Sequence, residues 1–252
     1  MYRRITFSIL AAIPLALAGS HAGAADIRVV GAGAIEEPFE KLAAEFAKTG
    51  GHKVDGIFGP VGGMMNKLKG GEKADVIVLS TAAMDELEKA GALVAGTRAE
   101  VGRAVAGVAV RAGAPQVDIA SPDAFKKALV SARTVAYTNP AAGGTAGIYM
   151  TGLLDKLGIT DEIKKKALLQ QSGSAVADAV ANGAAEIGIS FTSELLPNQG
   201  VKVLGPIPQS IGLAVTYEAA VSKASQQAEE ARALIAYMTR PASHDHFKEA
   251  GL

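Results

Sequence analysis

Short runs of β-branched residues alternate with longer helical patterns along almost the whole chain. In the first part, strand-like runs at 27–30, 53–58 and 75–79 flank a helical pattern at 36–48, in which apolar residues recur on one face. The last of these runs is apolar after Asp75, as expected in a sheet that is covered on both faces. This order of strands and helices predicts a doubly wound α/β unit.

A second α/β unit follows the first. Strands are predicted at 104–110, 134–137 and 186–190, and helices at about 121–131 and 145–157. The first of these helices opens with a Ser cap and a Pro, which is the usual order at a helix start. The parallel arrangement of the first unit is therefore expected again here.

A further strand pattern and two helices return after the second unit, and no flexible linker separates the units. Ordered strands near 104–110 and 212–217 would join them as a hinge of two strands, on which lobes can close over a ligand. The predicted fold class is α/β, with two doubly wound lobes on a two-strand hinge. The predicted boundaries are 25–105 plus 213–252 for lobe 1 and 106–212 for lobe 2.

The first two dozen residues have the order of a secretory signal peptide. Arg3 and Arg4 precede an apolar run at 5–18, and Ala22-Gly23-Ala24 forms an A-x-A cleavage pattern. The run is shorter than the roughly 20 residues that span a membrane, and no Cys follows it for lipid attachment. We expect cleavage near Ala24, at the end of a signal peptide 1–24, and a mature protein in the periplasm.

The composition excludes several classes of function. The formal net charge at pH 7 is zero and no long Lys/Arg cluster occurs, so nucleic acid is not an expected partner. Without Cys there are no disulfides, thiolate metal sites or thiol nucleophiles. The chain has no nucleophile elbow and no P-loop, so neither a hydrolase nor a cofactor is expected. His244 and His246 lie near the end of the chain, where we expect them to face solvent and bind no metal.

Three Gly-rich loops, at 31–35, 59–63 and 139–145, each lead from a strand into a helix. Open α/β sheets bind ligands at these carboxyl ends of strands. The first N–H groups of a helix lack partners and carry partial positive charge, so they can hold an anion without Lys or Arg. Gly is common in such loops for other reasons too. The candidate ligand-binding residues are Gly33, Ala34, Gly62, Gly63, Gly144, Thr145, Ser172 and Ser190.

Several motifs occur in a fixed order: the loop before Glu36, the strand start at 74–76, the segments 144–149 and 185–189, and a predicted turn at 200–203. In order and spacing they resemble the periplasmic molybdate-binding proteins and their relatives, the type II solute-binding family. The resemblance covers nearly the whole mature chain. It implies a receptor that captures a small anion between its lobes and delivers it to the membrane permease of an ABC transporter. We expect a monomer.

The chain departs from the molybdate binders at their hydroxyl ligands. Where they carry Ser in the first two loops, this chain has Gly33 or Ala34 and then the segment 59–62, and Phe191 replaces a Tyr on a late loop. Backbone N–H groups, including that of Thr145, remain as donors. Each lost hydrogen bond to a charged ligand removes about 1.5–3 kcal/mol of binding energy.

The run from Ala74 to Gly147, including 110–115 and 118–119, is similar to that of the periplasmic aconitate isomerases, a branch of the same family, and so is the segment 186–196. An enzyme of this kind moves a double bond in a tricarboxylate by removing and returning a proton, which requires a general acid/base. Glu194 and Tyr217 are both candidates for it.

Three functions remain open. The sequence favours a transport receptor for a small oxyanion or polycarboxylate over an enzyme. If the chain is an enzyme, an intramolecular isomerase is expected. The third possibility is an exported binding or sensing module without transport.

Overall fold

The computed structural model describes residues 24–252. The strands in this range are β1 (Asp26–Ala32), β2 (Lys53–Gly59), β3 (Val76–Ser80), β4 (Ala99–Arg111), β5 (Val135–Thr138), β6 (Ala167–Gln170), β7 (Ile187–Phe191), β8 (Val201–Pro206) and β9 (Ala214–Val221). The helices are α1 (Glu36–Gly50), α2 (Val61–Lys69), α3 (Thr81–Lys89), α4 (Pro122–Ser131), α5 (Thr145–Leu157), α6 (Thr160–Lys164), α7 (Gly173–Ala181), α8 (Thr192–Leu195), α9 (Ala228–Thr239) and α10 (Pro241–Glu249).

The predicted signal peptide lies outside the described residues, except for Ala24. Across 24–252, no helix combines the length and the apolar character that crossing a membrane requires.

The strands follow one another in the order β2-β1-β3-β9-β4-β7-β5-β6, and β8 pairs with β4 off this path. In the first half, β1 is parallel to β2 and β3, and β9 lies antiparallel between β3 and β4. In the second half, β5 is parallel to β6 and β7. Helices connect the parallel strands, so each half is a doubly wound α/β unit and the predicted fold class is confirmed.

Strand β4 belongs to both halves of the sheet. Its residues 99–105 pair with β9, whereas residues 106–111 pair with β7 and β8. The chain crosses between the halves along β4 and again just before β9, as the predicted hinge of two strands requires. We keep the names lobe 1 and lobe 2 for the ranges predicted from the sequence.

Each half has its own apolar core. In lobe 1, α1 buries Phe39, Leu42 and Phe46 against the sheet, and all five residues of β3 are buried. In lobe 2, Phe125 of α4 and Met150 of α5 are buried in a separate cluster. Phe39, Leu42 and Phe46 recur at helical spacing in the sequence, which is why the pattern predicted α1.

Two of the predicted segments are placed differently in the structure. The predicted turn at 200–203 is wrong, because β8 begins at Val201, which pairs with Arg111 of β4. Strand β4 begins at Ala99 rather than at 104, since its first residues pair with Ala219 and Glu218 of β9. The hydrogen bonds of the neighbouring strands therefore decide where these segments become extended.

Candidate functional site

A cavity of about 620 Å³ is lined by residues of both lobes. Its walls are the loops that follow β1, β2, β5, β6 and β7, together with Tyr217 of β9. Both the location, at the carboxyl ends of parallel strands, and the volume are typical of small-molecule sites in α/β folds.

Five of the eight predicted ligand-binding residues line this cavity. Gly33 and Ala34 do so from lobe 1, and Gly144, Thr145 and Ser172 from lobe 2. The structure therefore brings the first and third Gly-rich loops together on opposite sides of one space. Gly62, Gly63 and Ser190 are not among its lining residues.

Gly62 lies at a direct contact between the lobes. Its backbone N–H donates a hydrogen bond of 3.1 Å to the carbonyl oxygen of Gly143. A Cβ on Gly62 would lie 2.8 Å from the Cα of Gly143, and Gly143 has a φ of +74°. The cleft is closed here by two backbones that only glycine allows to approach so closely. The amide of Gly62 is thus engaged with protein and does not face the cavity.

The start of α5 faces the cavity without a cap. Its N-cap, Gly144, has no side chain to accept a hydrogen bond, and Thr145 and Ala146 of its first turn line the cavity. By contrast, the hydroxyl of Ser172 caps α7 by accepting a hydrogen bond from the N–H of Ala175 at 3.2 Å. Of these two helix starts, α5 is therefore the one suited to an anion.

The Glu194 carboxyl is held in the cavity wall by lobe 2. Its Oε2 accepts hydrogen bonds from the Ser190 hydroxyl at 2.5 Å and from the Phe191 N–H at 3.4 Å. The N–H of Gly173 also donates to this carboxyl. Burial raises the pKa of Glu194, and these hydrogen bonds oppose the rise. Ser190 is fully buried and contacts Glu194 rather than the cavity.

Tyr217 is the second predicted acid/base candidate and also lines the cavity. Its ring is buried and meets Phe191 edge to face, with the centroids 6.2 Å apart. Burial raises the pKa of Tyr217, and the nearby charge of Glu194 raises it further. Tyr217 is therefore a neutral phenol at ordinary pH, able to donate a hydrogen bond.

Two hydroxyl groups that no sequence motif indicated also line the cavity. Among the described residues, Thr138 Oγ1 and Ser193 Oγ are buried without a hydrogen-bond partner. Most buried polar atoms are satisfied in folded proteins, so two unsatisfied ones in one cavity point to a ligand. Thr138 ends strand β5, immediately before the third Gly-rich loop, and this position was a signal that could have identified it.

The charges around the cavity are all negative. Its acidic lining residues are Glu36, Glu37, Glu40, Asp178 and Glu194. Over residues 24–252, no Lys, Arg or His is among the lining residues. In the same range, no three His, Cys, Asp or Glu side chains are grouped so as to hold a metal ion. Any anion in this cavity must therefore be held by donors other than Lys, Arg and His, such as backbone N–H groups and hydroxyls.

Comparison with known proteins gives a family match over almost the whole described chain. The model of the bacterial extracellular solute-binding protein family matches residues 27–252. An aconitate isomerase from Pseudomonas sp is 30% identical over 232 residues, which cover 90% of this chain and 87% of the relative. The molybdate-binding protein ModA from Azotobacter vinelandii is 27% identical over 251 residues, which cover 96% of both chains.

Solved structures show the same fold. The periplasmic molybdate-binding protein of Azotobacter vinelandii superposes with a TM-score of 0.70 at 22% identity, over 89% of this chain and 97% of that chain. The sulfate-binding protein SubI from Mycobacterium tuberculosis H37Rv gives a TM-score of 0.71 at 19% identity, over 90% of this chain and 86% of that chain. The similarity supports the type II fold predicted from the sequence.

Proposed function

The chain belongs to the bacterial extracellular solute-binding protein family, and from this premise we propose that it is a periplasmic receptor for a small anion. The anion would bind in the closed cleft and be delivered to the permease of an ABC transporter. The observation that carries the proposal is the uncapped start of α5, which faces a cavity containing two buried hydroxyls without partners. Helix starts and hydroxyls are the donors that an anion needs in the absence of Lys and Arg.

The relatives and the start of the sequence also support a cellular location for the protein. The relatives named above include a periplasmic molybdate-binding protein, and residues 1–24 have the order of a cleavable signal peptide. We propose that the mature protein begins near Ala25 and acts in the periplasm.

The unpartnered hydroxyls give a direct test of the binding site. Changing Thr138 to valine or Ser193 to alanine should weaken anion binding by about one to two decades, because each hydrogen bond to a charged ligand contributes about 1.5–3 kcal/mol. Neither change should lower the melting temperature of the free protein, since neither hydroxyl has a protein partner. Calorimetric titration and thermal melts of the two variants measure both effects. Unchanged affinity in both would remove these residues from the site.

A second candidate function is favoured by Glu194. A carboxyl group with a raised pKa in a ligand cavity is suited to exchange a proton with a bound substrate. The phenol of Tyr217 would stay neutral beside it and orient the substrate. Together with the Pseudomonas relative, this arrangement supports an aconitate isomerase activity, in which Glu194 removes a proton from carbon and returns one as the double bond moves.

One screen separates the two functions. Thermal melts of residues 25–252 with molybdate, tungstate, sulfate, phosphate, citrate and both aconitate isomers should show a rise in melting temperature with at least one anion, because a ligand of the folded state stabilises it by mass action. A ligand that is released from the cleft chemically unchanged supports the receptor. The aconitate samples are then followed by NMR, and interconversion that is lost in Glu194→Gln would identify an isomerase. If no anion shifts the melt, the anion site is wrong.

A further inference from the structure

Two acidic side chains of the cavity come from opposite lobes. Glu36 is the first residue of α1 in lobe 1, and Glu194 lies in α8 of lobe 2. The Oε1 atom of Glu194 is so close to the loop before Glu36 that a Cβ on Gly33 would lie 3.1 Å from it. Closure of the cleft therefore packs the Glu194 carboxyl against the loop that leads to Glu36.

The carboxyl groups of Glu36 and Glu194 repel a bound anion when both are ionised. Burial raises the pKa of Glu36, and the charge of Glu40 raises it further. Burial is also the main cause of the raised pKa of Glu194, to which the charge of Glu36 contributes. The other titratable groups that line the cavity are Glu37, Glu40, Asp178 and the neutral Tyr217, and the described lining contains no cation. A bound anion would add negative charge to a region that already repels it.

The two oxygens of Glu194 have different surroundings. Oε2 accepts the hydrogen bonds from Ser190 and Phe191. Oε1 faces Gly33 across the cleft. A proton on Oε1 would change this atom from an acceptor, which repels an anion, into a donor, which can bind one.

We propose that Glu36 and Glu194 determine the charge specificity of the cleft, which takes up its anion together with one proton held by this carboxyl pair. The proposal deepens the anion-binding function proposed above and rests on it. The buried, unpartnered hydroxyls of Thr138 and Ser193, which also line this cavity, support a ligand site here through an observation separate from the two carboxyl groups. The cleft therefore binds anions more tightly as the pH falls, because an anion binds only when the carboxyl pair holds its proton.

The first test needs no ligand. Burial raises the pKa of both groups in the folded protein, so their contribution to stability is complete below about pH 4.3, the ordinary pKa of Glu, and is lost as the pH rises through the folded-state values. As the pH is raised from about 4.3, the ordinary pKa of Glu, thermal melts should show a fall in melting temperature for the wild type. The fall should be smaller for Glu36→Gln and Glu194→Gln. Glu72→Gln removes the same charge from an exposed loop residue and should follow the wild type.

The second test uses molybdate and trans-aconitate as probes, titrated calorimetrically from about pH 6.5 to about pH 8.5. Wild-type affinity should fall by up to about tenfold per pH unit, since one proton is taken up on binding. Glu194→Gln should bind at least tenfold more tightly than the wild type at the highest pH and lose most of the pH dependence. The affinity of Glu36→Gln should change in the same direction, and that of Glu72→Gln should equal the wild-type affinity.

The outcomes separate this proposal from the function on which it rests. If a probe binds with the same affinity at every pH in the wild type and in Glu194→Gln, the carboxyl pair has no such role and the anion receptor stands. If neither probe binds to any form of the protein at any pH, both the anion receptor and the role of the carboxyl pair are overturned. Binding by Glu194→Gln alone at high pH would support both the anion receptor and the role of the carboxyl pair. Identical melting profiles of the wild type and Glu194→Gln would contradict the proposal that the pair holds a proton.

Discussion

Replacing Gly147 by alanine is expected to destabilise the protein by about 3 kcal/mol, at the upper end of the usual cost of overpacking. A Cβ at this position would lie 2.0 Å from the carbonyl oxygen of Thr138 and 2.8 Å from its carbonyl carbon. Both atoms belong to the backbone of β5, so they cannot turn away as a side chain can. Either α5 or the end of β5 must move, and the melting temperature should fall by about 6–12 °C.

Gly152 provides the matched control, because it lies in the same helix and is exposed. A Cβ on Gly152 would meet no atom within 4 Å. Gly152→Ala should therefore stabilise the protein by about 0.5–1 kcal/mol, the usual gain when alanine replaces glycine in a helix. Differential scanning calorimetry of both variants measures the difference. Equal melting temperatures would mean that α5 does not pack on β5 as described.

Replacing Gly62 by alanine is expected to weaken ligand binding by about tenfold to a hundredfold while leaving each lobe folded. The new Cβ would lie 2.8 Å from the Cα of Gly143, across the contact that closes the cleft. Separating the lobes to relieve this overlap costs about 1–3 kcal/mol, and each 1.4 kcal/mol is a factor of ten in affinity. The open form should also show a larger radius of gyration in X-ray scattering with a saturating anion from the screen.

Gly63→Ala is the control for this change. It adds the same methyl group to the next residue of α2, where the nearest atom, the carbonyl oxygen of Ala142, lies at an ordinary 3.7 Å. Its affinity and scattering should match those of the wild type. A Gly62→Ala protein that closes and binds normally would show that the contact does not control closure.

The parts of the fold that the sequence predicted are those with a long or uniform pattern. Helices α1 and α5 and the apolar strand β3 have such patterns, and they were assigned close to their observed bounds. Strand β6 has only four residues, none of them buried, so no alternation identified it. Strand β8 extends because β4 offers it hydrogen bonds, and that information lies elsewhere in the chain.

The candidate site was predictable to the level of its loops. Gly-rich segments after strands suggest a ligand edge, and Gly33 and Thr145 do line the cavity. Pairings across space could not be derived in the same way. Ser190 looked available for a ligand, but its hydroxyl donates to Glu194. The contact between Gly62, at the start of α2, and Gly143 joins segments from different lobes, and no local pattern indicates it.

The position of β9 has a consequence for the order of folding. Lobe 2 is built from a continuous stretch of chain, so its contacts can form as soon as that stretch is available. Lobe 1 needs β9, from near the end of the chain, to fill the gap between β3 and β4. Until it arrives, both strands have unpaired edges, which are the surfaces through which partly folded chains aggregate. A chain that emerges from its amino-terminal end therefore completes its second lobe first, and the yield of native protein depends on how quickly its last strand inserts.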